Sequence, residues 1–210
     1  MDNTRNTTIA FLGQHPYFLL ELAKLHFDEW RHFRPGRTLQ DRIDKLRAMA
    51  KSEELPCMVV AIHENGLIGS TALVHNDMST RRDVSPWLAS VYFKSEFRRN
   101  GIATIPVGHI EKLAEQRGIR KLYLHTEHAR DLYASLGWVD LQAVECQGVN
   151  VVIMSRQPGN YNGDGRRHSD WLSACTSTSV IRRSGKDQGA GRPGQYFESP
   201  WWPPDSRWGG

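Results

Sequence analysis

The chain has 210 residues, 39% of them hydrophobic and 24% charged, with a formal net charge of +4. That length suffices for one ordinary domain with a full core. Mean hydropathy of −0.54 and a pI near 9.1, no apolar run near the roughly 20 residues of a membrane span, and a polar start (Met1 to Thr8) argue against a membrane or secreted protein.

Thr7 to Leu12 reads as a short first strand. Pro16 suits the first turn of a helix, and Phe18, Leu22 and Leu25 follow at helical spacing with Leu19 and Ala23 beside them. Pro35-Gly36 breaks the chain. Thr38 with Asp41 resembles a capping box, and Leu39, Ile43, Leu46 and Ala50 mark one face of a second helix that Pro56 stops. Cys57 to Ile62 is a continuous apolar strand. Asn65-Gly66 is a strong hairpin signal of the type I′ kind, and Leu67 to Val74 returns as the next strand. Asn76 to Pro86 is a polar loop.

Trp87 to Phe93 is the fourth strand. It runs into Phe97-Arg98-Arg99-Asn100-Gly101-Ile102-Ala103-Thr104, which opens an amphipathic stretch from Ile102 to Arg117. A strand that ends in a basic, glycine-bearing turn and then starts a helix is a pyrophosphate cradle. Free N–H groups at the helix start point at the anion, and the helix dipole favours negative charge there. Gly101 lets the backbone approach closely, and Arg98 and Arg99 add charge-assisted donors. Ile102, Ile105, Ile110 and Leu113 form the buried face of this helix, and Gly118 ends it. Lys121 to His125 is a short strand, and Ala129 to Leu136 a short helix closed by Gly137. Trp138 to Val144 and Val149 to Ser155 make a last strand pair around Gln147-Gly148.

After Gln157 the character changes. Half of the 18 glycines, half of the 10 prolines and four of the seven tryptophans fall there, with no apolar period. This reads as a disordered tail over 157–210, leaving a folded domain over 1–156. The cysteines Cys57, Cys146 and Cys175 form no C-x-x-C and no disulfide framework, which suits a reducing cytoplasm.

The order β-α-α-β-β-β-α-β-α-β-β, with two motifs, resembles the GNAT superfamily of N-acetyltransferases over about residues 7 to 156. One motif is R/Q-x-x-G-x-G/A after the fourth strand, here Arg98 to Ala103. The other is Tyr-x-x-Leu-Gly-aromatic, here Tyr133-Ala134-Ser135-Leu136-Gly137-Trp138. The resemblance implies an α/β fold, a mixed sheet of about seven strands flanked by four helices. The chain departs from the pattern at Ser95, where a proline is usual, and at Pro106 within the first turns of the third long helix.

The resemblance also implies acetyl-coenzyme A as cosubstrate, a primary amine as acceptor, and no metal. The pantetheine arm would add to the fourth strand through backbone groups around Val91, Tyr92 and Phe93. The Phe93 N–H would polarise the thioester carbonyl. Arg98, Arg99, Asn100, Gly101, Ile102, Ala103 and Thr104 would hold the pyrophosphate. Tyr133 is the candidate general acid toward the leaving thiolate. The base is less specified: His75, Asp77, His125 and Glu127 are candidates beside a water chain, and His125, at the end of the fifth strand, is the first choice. Trp30, Arg34, Trp87, Asp77 and Asp83 are candidates to shape the acceptor pocket.

Other chemistries fail on spacing. His125-x-x-His128 is not the i, i+4 pair of a helical zinc site, and neither G-x-S-x-G nor a Walker motif occurs. The arginine pairs lack interleaved aromatics, so nucleic acid is disfavoured. A homodimer is left open. The competing reading is a regulatory module that binds acyl-CoA with weak turnover.

Overall fold

The computed structural model describes residues 6–33, 35–98 and 102–159. Arg34, Arg99, Asn100, Gly101 and the tail expected over most of 157–210 lie outside the described residues. The strands are β1 (Thr7–Phe11), β2 (Cys57–His63), β3 (Gly66–Val74), β4 (Trp87–Phe93), β5 (Leu122–Thr126), β6 (Val139–Cys146) and β7 (Val149–Arg156). The helices are α1 (Leu19–Trp30), α2 (Leu39–Met49), α3 (Thr104–Gln116) and α4 (Arg130–Ser135). This is the expected mixed α/β architecture, in the expected order.

Local chemistry accounts for most of the boundaries. The first helix enters through two tight turns, Leu12–Gln14 and Pro16–Phe18, before α-geometry begins at Leu19. The capping box before α2 is formed: the Asp41 N–H donates to Thr38 Oγ1 over 3.1 Å, and the Thr38 N–H to Asp41 Oδ2 over 2.7 Å. Pro106 is the third residue of α3, where the N–H it lacks would have had no helical partner. The β2–β3 turn is centred one residue earlier than expected. Glu64 and Asn65 carry positive φ (47° and 66°), and Gly66 already pairs with His63 as the first residue of β3.

The sheet order is β1-β2-β3-β4-β5-β7-β6. Neighbours run antiparallel except β4 and β5. Its two faces carry separate cores. Leu12, Leu22, Leu46, Met58, Val60 and Trp87 pack on the α1/α2 face. Cys57, Val59, Leu88, Ile110, Leu124 and Trp138 pack on the α3/α4 face. β2 is apolar from Cys57 to Ile62 because it is covered on both sides, its alternate residues feeding alternate cores.

Candidate active site

Two irregularities of β4 build the site. The first is its partnership with β5. The parallel ladder holds one rung, Trp87 opposite Tyr123, with the Tyr123 N–H donating to Pro86 O over 3.1 Å. Beyond that rung β5 pairs only with β7 on its far side, so β4 and β5 part toward their C-terminal ends. The second is a bulge. Pairing with β3 passes from Ala72 opposite Ala89 to Ser70 opposite Tyr92, so Thr71 faces both Ser90 and Val91. Ser90 takes φ +53°. The extra residue reverses which side chains face which core: Trp87 and Ala89 lie in the α1/α2 core, whereas Val91 and Phe93, two and four residues on from Ala89, pack on the α3 side with Ile102 and Ile105.

Strand alternation then fixes where the polar backbone points. The Lys94 N–H donates to Ile68 O on β3 over 2.9 Å. Alternate residues share a direction, so the Tyr92 N–H also turns to β3. Val91 and Phe93 turn theirs toward the gap beside β5. The Phe93 carbonyl on that side accepts from Arg98 Nε over 2.7 Å.

Arg98 is therefore engaged locally. Besides Phe93 O it reaches Glu29 Oε2 at 2.9 Å and lies over the Tyr92 ring. A second ion pair, Lys94 to Glu21 at 2.8 Å, also fastens the end of β4 to α1. Past the turn, Ile102 is buried, α3 begins at Thr104, and no side chain caps Ala103.

The Tyr133-x-x-Leu-Gly-Trp motif proves to be a helix terminator. The Trp138 N–H donates to Tyr133 O over 3.0 Å and the Gly137 N–H to Ala134 O over 2.9 Å, with Gly137 at φ +84°. This double bond pattern, with the contact between the Tyr133 and Trp138 rings at 6.1 Å, is the Schellman ending of α4. Trp138 is anchored in turn, its indole N–H donating to Glu111 Oε1 over 2.8 Å. Tyr133 is 6% exposed. Burial holds its phenol well above the ordinary range, and its hydroxyl has no hydrogen bond among the described residues.

His125 and Asp77 come together, Nε2 to Oδ2 at 3.1 Å, both largely covered. The His125 ring lies 6.2 Å from that of Trp87. His125 alternates along β5 with Leu122 and Leu124, which join Tyr133 on the opposite face. The His–Asp pair thus lies on the α1/α2 face of β5, and Tyr133 is buried in the core on the opposite face. Glu127 pairs instead with the exposed His128. Trp87, expected at the acceptor pocket, is 0% exposed and donates to Val84 O. Asp83, expected there as well, is held by Arg81 through two 2.9 Å contacts. Among the described residues no group of three or more His, Cys, Asp or Glu residues forms a metal cluster, and no helix is long and apolar enough to cross a membrane.

Beside the bulge lies a buried polar group that the motifs do not reveal. His26, 1% exposed, meets Ser70 Oγ at 2.7 Å and also contacts Arg42. Its one sequence signal is position: a histidine four residues after Leu22, on the apolar face of α1.

The family model for GNAT acetyltransferases matches residues 19–138. This chain belongs to the GNAT family of acetyltransferases. It is similar in fold to an aminoglycoside 6'-N-acetyltransferase complexed with coenzyme A (TM-score 0.59, 16% identity, 74% of this chain and 99% of that one). It is also similar to the aminoglycoside 6'-N-acetyltransferase from Enterococcus faecium (TM-score 0.58, 16% identity, 74% and 99%). A third similar structure is the ribosomal-protein-alanine N-acetyltransferase from Brucella melitensis (TM-score 0.56, 17% identity, 71% and 99%). No curated protein matches the chain by sequence.

Proposed function

We propose that this protein transfers the acetyl group of acetyl-CoA to a primary amine by direct attack, with both substrates bound together. The parting of β4 from β5 after one rung carries the reading. It leaves Val91 and Phe93 with strand-type donors and acceptors directed into a gap that ends at the start of α3. An amide-bearing pantetheine arm matches such an edge as an added strand would. Its pyrophosphate would meet the helix start at Ile102, Ala103 and Thr104. The Phe93 carbonyl accepts from Arg98, so a pantetheine amide would use its second lone pair.

The chemistry follows from the two faces. The acceptor approaches from the α1/α2 side, where His125, oriented by Asp77, takes the proton that the nitrogen sheds. The N–C bond forms as the C–S bond breaks, and the Phe93 N–H stabilises charge on the carbonyl oxygen. The thiolate leaves toward Tyr133. Burial holds that phenol above its usual value, beyond the roughly 8.5 of an ordinary thiol. Tyr133 therefore stabilises the thiolate as a hydrogen-bond donor rather than surrendering its proton outright. The acceptor is a small-molecule amine or a peptide N-terminus.

Coenzyme A release across a panel of amines and peptide N-termini, with binding followed by calorimetry, tests this. Turnover with at least one amine is the expected result. Binding without turnover across the panel would reduce the protein to an acyl-CoA-binding module, and no heat with either form of the cofactor would end the reading.

A further inference from the structure

The β4 bulge is held by a directed chain of hydrogen bonds from three other elements. Ser70 Oγ on β3 donates to Ser90 O over 3.1 Å. Arg42 on α2 donates to Ser90 Oγ over 3.2 Å and to His26 Nδ1 on α1. His26 Nε2 lies 2.7 Å from Ser70 Oγ. The proton count has one solution. Arginine only donates, so Nδ1 is the acceptor, the ring proton sits on Nε2, and Nε2 donates to Ser70. The Ser70 proton is then committed to Ser90 O. This chain requires a neutral imidazole. Burial and the Arg42 and Lys45 charges push His26 in that direction. Tyr92 and Trp30 flank the ring at 5.7 and 4.8 Å.

Both ends of the chain grip one residue, and that residue has the conformation a serine resists. Ser90 at φ +53° occupies the left-handed region, which L side chains adopt at a cost. It is also where β4 changes course. Up to Ala89 the strand alternates in step with Trp87. After Ser90 the faces reverse, and Val91 and Phe93 follow. An unheld Ser90 would relax toward ordinary extended backbone. The faces would then lose their reversal, and Phe93 would no longer be set against the gap.

We propose that His26 is a positioning residue for the acetyl-CoA site: acting through Ser70, and together with Arg42, it locks Ser90 in the bulge and so holds open the edge of β4 that receives the cofactor. The inference rests on the acetyl-CoA reading above and adds the device that maintains the site.

The test measures coenzyme A affinity by calorimetry, and stability by urea unfolding, for wild type, Ser70→Ala, His26→Phe and His26→Gln. Glutamine keeps a donor and an acceptor at the imidazole spacing; phenylalanine keeps only the shape. Ser70→Ala and His26→Phe should weaken binding about tenfold, the size of one or two hydrogen bonds. His26→Gln should stay within about threefold of wild type. Should His26→Phe fail to fold, Ser70→Ala, which removes one atom, decides. Lower stability with unchanged affinity in Ser70→Ala would reduce the network to core packing and overturn the proposal. So would equal losses in the Gln and Phe variants. No binding by wild type would overturn this proposal together with the acetyl-CoA reading, whereas tight binding retained by every variant would overturn this proposal alone.

Discussion

Glu111→Gln separates burial from ion pairing in the α3/α4 core. Glu111 sits on α3, 6% exposed, accepting the Trp138 indole N–H at 2.8 Å and lying 3.3 Å from Arg156 Nε on β7. Loss of water pushes its carboxyl up to about 7 from 4.5, although Arg156 and Trp138 pull the other way. The native state therefore binds this proton more tightly than the unfolded chain. Stability from neutral Glu111 is fully present below about pH 4.5 and is lost as pH rises through about 7. At roughly 1.4 kcal/mol per pH unit, the displacement is worth about 3 kcal/mol. Glutamine reproduces the neutral carboxyl and keeps an acceptor for Trp138, but cannot ionise. Between pH 4.5 and 8.5, wild type should lose about 3 kcal/mol of unfolding free energy relative to Glu111→Gln. Urea unfolding at a series of pH values measures this. A gap that stays flat, or one in which wild type gains on the variant as pH rises, would show that Arg156 keeps Glu111 charged, and the argument from burial would fail.

Tyr133→Phe should lower kcat about 100-fold and leave coenzyme A affinity within twofold, because the hydroxyl acts only as the thiolate forms; equal turnover would leave Tyr133 a packing role. Asp77→Asn removes the charge facing His125. It should slow transfer to a lysine side chain, with pKa of about 10.4, more than to an α-amine near 8, which needs less help losing its proton. Equal effects on both acceptors, measured as kcat/KM, would remove the pair from proton transfer. Gly69→Ala places a Cβ 2.6 Å from both the Phe93 ring and Tyr92 O. It should cost about 1–3 kcal/mol and weaken coenzyme A binding by moving Phe93. A variant as stable and as tight-binding as wild type would contradict the close approach of β3 to β4.

Local signals were legible wherever the cause lies within a few residues. Thr38 and Asp41 close on each other across one turn, so their capping box was readable before any fold. Gly118 and Gly137 end their helices in the left-handed conformation, at φ +70° and +84°, and each stood out as a glycine after an apolar period. The hairpin between β2 and β3 was visible as Asn65-Gly66, yet its centre slid to Glu64 and Asn65. The pairing of His63 with Gly66 sets that register, and it depends on which faces of the two strands are buried.

The site divides in the same way. Tyr133 to Trp138 announces itself as a run of residues, because a helix ending is made by consecutive backbone groups; the cradle proposed over Arg98 to Thr104 is a run of the same kind. The meeting of His125 with Asp77 joins residues 48 positions apart, and His26 reaches Ser70 across 44. The first brings the connection between β3 and β4 to β5, and the second packs α1 against β3. The parting of β4 from β5 and the reversal at Ser90 are likewise invisible in the alternation of apolar residues. They arise from how neighbouring strands and helices compete for the same backbone groups. By itself the order of residues determined the elements and most of their ends, since these are short-range properties of backbone and side chain. Tertiary structure decided which polar groups face the gap, and which buried histidine holds it open, because burial and hydrogen bonding between distant segments exist only once the layers have packed.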